Sequence, residues 1–174
     1  RWGHAALWVG SEAELRVLGI WDDPVVQPHQ ETLRAGRQVA EALRSGVELN
    51  PLAQFLNVDD VAVLRHASQQ PAEKAAAILQ ALRQMGKRYD FNFDVETRDR
   101  LGCAELLYHA YGHVDWPTHR QLGRAVIIPD DIVARALDGG PLIVVRFYSD
   151  GEGVADDPGQ ALAKMMQSVA PDIQ

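Results

Sequence analysis

The chain has 174 residues, 47% of them hydrophobic and 24% charged, which fits one folded core and is too apolar for a disordered chain. Its net charge of −7, with scattered acidic residues and no basic stripe, argues against a nucleic-acid partner, whose phosphates need clustered Lys and Arg. The single cysteine cannot close an intramolecular disulfide, and no apolar run reaches the ~20 residues that span a bilayer.

The chain opens on Arg1 rather than Met and enters an apolar segment at once, the pattern expected of a trimmed or processed N-terminus. "HAALWVG" (4–10) is a short apolar run ended by glycine and reads as a buried strand. In the mixed stretch 11–36, "SEAELRVLGIW" suggests a helical turn and "DDPVVQPHQ" a loop with two prolines. "RQVAEALRSGVEL" (37–49) is ambiguous. Local propensity favours a helix, while strand, turn and strand also fit around Ser45-Gly46.

"DVAVLRH" (60–66) carries β-branched residues suited to a strand. "PAEKAAAILQALRQMG" (71–86) predicts a helix, with Pro at its start, Gly past its end and an apolar stripe of Ala76, Ile78, Leu79 and Leu82. A polar, aromatic loop leads to a helix over 103–111. "PDDIVARAL" (129–137) predicts another, with acids in the first turn where the helix dipole favours them. "PLIVVRFY" (141–148) reads as a strand, and 151–174 as a tail or peripheral helix outside a domain spanning 1–150. This order predicts an α+β fold, an antiparallel sheet with helices packed to one side.

The cysteine sits in "RDRLGCAELLYHAYG" (98–112), at the front of a helix whose Leu106, Leu107 and Ala110 share one inward face. A thiol there feels the positive end of the helix dipole and unpaired backbone N–H groups, which favour thiolate and can hold an oxyanion. Cys103 is thus a candidate nucleophile, although free cysteine also serves as buried filler. A nucleophilic thiol needs a base. Of the six histidines, His109 points away on the same helix, and His29 and His66 read as solvent-facing. His4 stands at the mouth of an apolar strand, where a rigid strand end can fix an imidazole against a helix N-terminus.

Three segments resemble one family. "WGHAALWVG", "VAEALRSGVELNPLAQFLNVDDVAVLR" and "GKRYDFNFDVETRDRLGCAELLYHAY" are similar to the histidine strand, the intervening part and the cysteine segment of YiiX/YebB-like cysteine hydrolases, permuted papain-like members of the NlpC-type superfamily. The resemblance spans about 1–148 and implies a permuted papain-like fold in which the histidine strand precedes the cysteine helix. It implies Cys103 as nucleophile, His4 as general base and acid, and Glu41 as the carboxylate orienting the imidazole. Should 37–43 be helical, Glu12, Glu14 and Glu31 compete for that last role. Tyr89 and Asp90 match a Tyr-Asp pair expected to line the cleft.

Two departures stand out. Ala104 replaces a small hydroxyl residue after the nucleophile. The connection 11–36 is also longer than expected and reads as a lid, with Trp21 shaping specificity. The family also has a strand and loop upstream of its histidine, so an edge of the domain is expected ahead of Arg1. The resemblance implies an amidase or peptidase that needs no cofactor, acts on a peptide-like or acyl-amide small substrate, and works in a bacterial cell envelope or periplasm. Acyl transfer to or from a lipid is the competing chemistry on the same fold. A Cys/His metal site from Cys103, His109, His113 and His119, or a catalytically silent binding module, are the readings of another class.

Overall fold

The computed structural model describes residues 2–96, 98–154 and 156–169. The chain begins with β1 (Ala6–Trp8) and turns through Gly10, at φ 104°, into α1 (Glu12–Val17). Ser11 and Glu14 cap that helix reciprocally: Ser11 N–H donates to Glu14 Oε2 at 2.6 Å, and Glu14 N–H to Ser11 Oγ at 3.4 Å. A 3₁₀ turn (Gln27–His29) and α2 (Gln30–Arg34) complete the long connection. Leu15, Trp21, Val26 and Leu33 are each at most 2% exposed, so this segment is rooted in the core rather than laid over it as a flap.

The ambiguous stretch is a hairpin, β2 (Arg37–Leu43) and β3 (Gly46–Pro51), followed by α3 (Leu52–Phe55). Four consecutive β2 residues, Val39 to Ala42, are buried. The strand is covered on both faces, so its sequence lacks the polar alternation that marks a strand, and tertiary burial overrides the helical propensity. The hairpin tip is tied to the following loop through Val47 N–H to Lys87 O (2.9 Å) and Gly86 N–H to Val47 O (2.8 Å). Gly46 makes this possible: its φ is +127°, and a Cβ there would lie 2.7 Å from Lys87 O. Gly46→Ala is expected to cost about 1–3 kcal/mol, read as a lowered urea midpoint at unchanged slope.

β4 (Val61–His66) and α4 (Pro71–Leu82) follow as expected, Pro71 opening the helix and Glu73 accepting the Gln70 N–H at 2.8 Å. The inward face of α4 is Ala75, Ala77, Ile78, Ala81 and Leu82; the Ala76 of the predicted stripe is exposed. The aromatic loop contains a two-residue parallel pair, β5 (Arg88–Tyr89) and β6 (Arg100–Leu101), ahead of α5 (Cys103–Ala110). Next come a small hairpin, β7 (His119–Gln121) and β8 (Arg124–Val126), and α6 (Pro129–Leu137). The chain closes with β9 (Leu142–Ser149), β10 (Glu152–Gly153) and α7 (Pro158–Val169).

The fold is α+β, with two three-stranded antiparallel sheets ordered β1-β2-β3 and β10-β9-β4 beside the two-stranded β5-β6 and β7-β8 pairs. The main core joins the first sheet to α1, α2, α4 and α5, with Leu49, Leu82, Leu101, Leu106 and Ile127 at its centre. A second cluster, Val133, Phe147 and Leu162, seats α6 and α7 around β9. Each fully buried Leu or Phe contributes about 1.5–3 kcal/mol. Trp2 is pinned to this second cluster. Trp2 N–H donates to Asp130 Oδ1 (2.7 Å), its indole N–H to Met166 Sδ (3.2 Å), and its ring meets Phe147 edge-on at 6.5 Å. Among the described residues no helix is long and apolar enough to cross a membrane.

Candidate active site

Cys103 opens α5. Leu101 pairs with Tyr89 across β5–β6, and Gly102 is still extended (φ −77°, ψ 169°), so the chain passes from strand to helix at the cysteine. Leu106, Leu107 and Ala110 bury one face of α5 and fix its axis. Cys103 itself is 2% exposed. The first N–H groups of a helix have no partner within it, so the sulfur stands beside backbone donors.

Behind the sulfur, Glu105 is fully buried and accepts the Gly102 N–H. Gly102 is favoured here by close approach rather than by φ: a Cβ would meet Glu105 Oε2 at 2.9 Å and Phe93 Cδ1 at 3.0 Å, so both side chains would have to shift. Burial pushes the Glu105 carboxyl up to about 7; the Gly102 N–H opposes the rise, and the charges of Asp90 and Asp94 add to it.

His4 lies two residues before β1, and Glu41 sits in β2 directly opposite Ala6. Continuing the two-residue alternation from Ala6 puts His4 on the same side as Glu41. Glu41 is 3% exposed, and its Oε2 lies 2.8 Å from His4 Nε2. Cys103 lies close enough to act on the His4 ring through its polar side chain and its charge. The imidazole also packs near Phe55 of α3, ring centres 6.0 Å apart. Burial lowers the pKa of His4, but the hydrogen bonds to Cys103 and Glu41 and the charges of both outweigh it, raising the group from 6.5 to about 9. The His4 side chain is 31% exposed, so the trio meets solvent through the imidazole.

Tyr89 is half-buried against the core, edge-on to Phe91 at 4.9 Å and to Phe93 at 6.3 Å. Burial first, then the neighbouring charges of Cys103 and Glu105, push its phenol up. Asp90 is 1% exposed and faces inward, its carboxylate accepting the N–H groups of Asn92 (2.9 Å) and Asp94 (3.0 Å). It shapes the loop before the cysteine. Trp21 is 2% exposed, its ring under the guanidinium groups of Arg16 (5.4 Å) and Arg34 (5.0 Å), remote in character from a lining residue.

The competing glutamates lie elsewhere: Glu12 pairs with Arg16 (2.7 Å) and Arg34 (2.6 Å), Glu14 caps α1, and Glu31 is exposed in the first turn of α2. The four suggested metal ligands are dispersed. His119 Nε2 meets Asp131 Oδ1 at 2.5 Å, and His113 lies tilted beside His66, ring centres 5.4 Å apart. Among the described residues no group of three or more His, Cys, Asp or Glu is placed to hold a metal ion. Two contributors had no sequence signal. Phe55 reaches His4 from a four-residue helix, and Phe93 backs Gly102 from a loop position at φ 54°.

The site therefore joins a buried carboxylate, an imidazole and a thiol at a helix N-terminus, brought together by a strand pair and a helix in the order histidine, acid, cysteine. That set is suited to acyl transfer through sulfur. No curated protein and no solved structure matches the chain. A family model does, over residues 1–170, and the chain belongs to that family: the permuted papain-like amidase enzymes YaeF/YiiX, family C92.

Proposed function

We propose that this cysteine hydrolase cleaves small acyl amides through Cys103, His4 and Glu41, by way of a thioacyl-enzyme. The observation that supports the reading is that His4 is hydrogen-bonded to the buried Glu41 and lies within electrostatic reach of Cys103. With Nε2 held by Glu41, Nδ1 is the ring nitrogen left to take the thiol proton. The sulfur then attacks the amide carbonyl carbon, and backbone N–H groups at the start of α5 stabilise the oxyanion. The C–N bond breaks as His4 gives the proton to the departing amine. Water attacks the thioester, His4 accepts its proton, and the carboxylic product leaves with the thiol restored. Glu41 fixes the ring tautomer and stabilises the imidazolium.

The test is acylation by p-nitrophenyl acetate. A burst of p-nitrophenolate stoichiometric with enzyme is expected, together with an acetyl adduct on the peptide carrying Cys103. Release without a burst, or an adduct only at other residues, would falsify the covalent mechanism.

A further inference from the structure

Three arginines distant in sequence line one hollow, and its Tyr89 lies within electrostatic reach of Cys103. Arg44 and Ser45 form the tip of the β2–β3 hairpin, Arg88 and Tyr89 are β5, Arg100 begins β6, and Phe91 completes the rim of a hollow of about 300 Å³. The bonds between Val47, Gly86 and Lys87 hold the hairpin tip against β5. Tyr89 connects the hollow to the reacting group, because its register partner Leu101 stands two residues before Cys103.

The charges in this hollow are out of balance. Arg88 and Arg100 are direct partners across the parallel pair, an arrangement of like charges that costs free energy. Among the described residues Arg44 and Arg88 have no carboxylate within ion-pair distance, and Arg100 reaches only its exposed neighbour Asp99, at 3.6 Å. In a chain of net charge −7, three such cations around one concavity depart from the general surface. Guanidinium forks match the paired oxygens of a carboxylate or phosphate, and a bound anion would offset their mutual repulsion. The exposed Phe91 ring and Tyr89 supply an apolar wall for substrate carbon beside the arginines.

We infer that the hollow lined by Arg44, Arg88, Arg100 and Tyr89 is the subsite for an anionic group of the substrate, a carboxylate or a phosphate. The enzyme then acts on acyl amides that carry a negative charge to one side of the scissile bond. This rests on the Cys103–His4 reading of the site.

The test compares matched probes: chloroacetyl amides of ω-amino acids of increasing length, their neutral N-methylamides, and a parallel series ending in phosphate. Each alkylates Cys103, and the quantity read is the ratio of anionic to neutral alkylation rates in the same protein. At one chain length and low salt the ratio is expected to reach about tenfold or more, and to fall as salt screens the site. It is expected to drop severalfold in Arg44→Gln and in Arg88→Gln, and to approach one in the double variant. The series with the larger ratio identifies the source of the anion. A ratio near or below one at every length in both series overturns the inference, as does a ratio that the Arg→Gln changes leave untouched. If the neutral probe alkylates the denatured chain but not folded Cys103, the hydrolase reading falls and takes this inference with it.

Discussion

His4→Ala is expected to lower kcat/KM on an acyl anilide by about 10²–10⁴-fold, and Cys103→Ala to remove turnover altogether. In the proposed mechanism the imidazole carries two proton transfers, from the thiol and to the departing amine, whereas Cys103 supplies the bond-forming atom. His4→Ala therefore leaves an enzyme that can still be acylated by an activated ester, whose phenolate departs without a proton. Anilide cleavage by His4→Ala at the parental rate would remove His4 from the mechanism, and retained turnover in Cys103→Ala would end the thiol reading.

Glu41→Gln tests the third member through pH. The side chain keeps its shape and its hydrogen bond to His4 but loses the charge that helps raise the imidazole to about 9. In the parent, anilide cleavage is expected to decline as pH rises through about 9, because the imidazolium that protonates the amine disappears. In Glu41→Gln that alkaline limb moves down toward neutrality, and kcat/KM falls on the order of 10²-fold or more. A limb that stays in place would mean Glu41 does not govern the imidazole. The linkage to stability has the same sign. His4 is raised on folding, so its contribution is fully present below 6.5 and is lost as pH climbs through about 9.

Legibility in the sequence followed the strength of local signals. α4, α6 and β9 announced themselves through a Pro at the first helical position, acids in the first turn, or a long β-branched run. Cys103 was conspicuous because glycine before it and an apolar stripe after it mark a helix start. Glu41 was harder, since a strand buried on both faces has no alternation to read. The β7–β8 hairpin gave no warning. Its turn places Leu122 at φ 51° and Gly123 at φ 82°, where Asn-Gly would be the usual signature, and all of β7 is exposed. The arginine hollow was beyond any linear reading, because Arg44, Arg88 and Arg100 share neither segment nor period. What joins them is the backbone lacing of the hairpin tip to Lys87.

The clasp on Trp2 carries a consequence for the base. Only Gly3 separates that indole from His4, so the imidazole hangs between an anchorage at α6 and α7 and its seat against β2. The last described helix, which bears none of the proposed reacting groups, thereby acts as a distant guy-rope for the proposed base. Loosening of Met166 from Trp2 would be felt as a wandering proton carrier while the rest of the molecule stays folded.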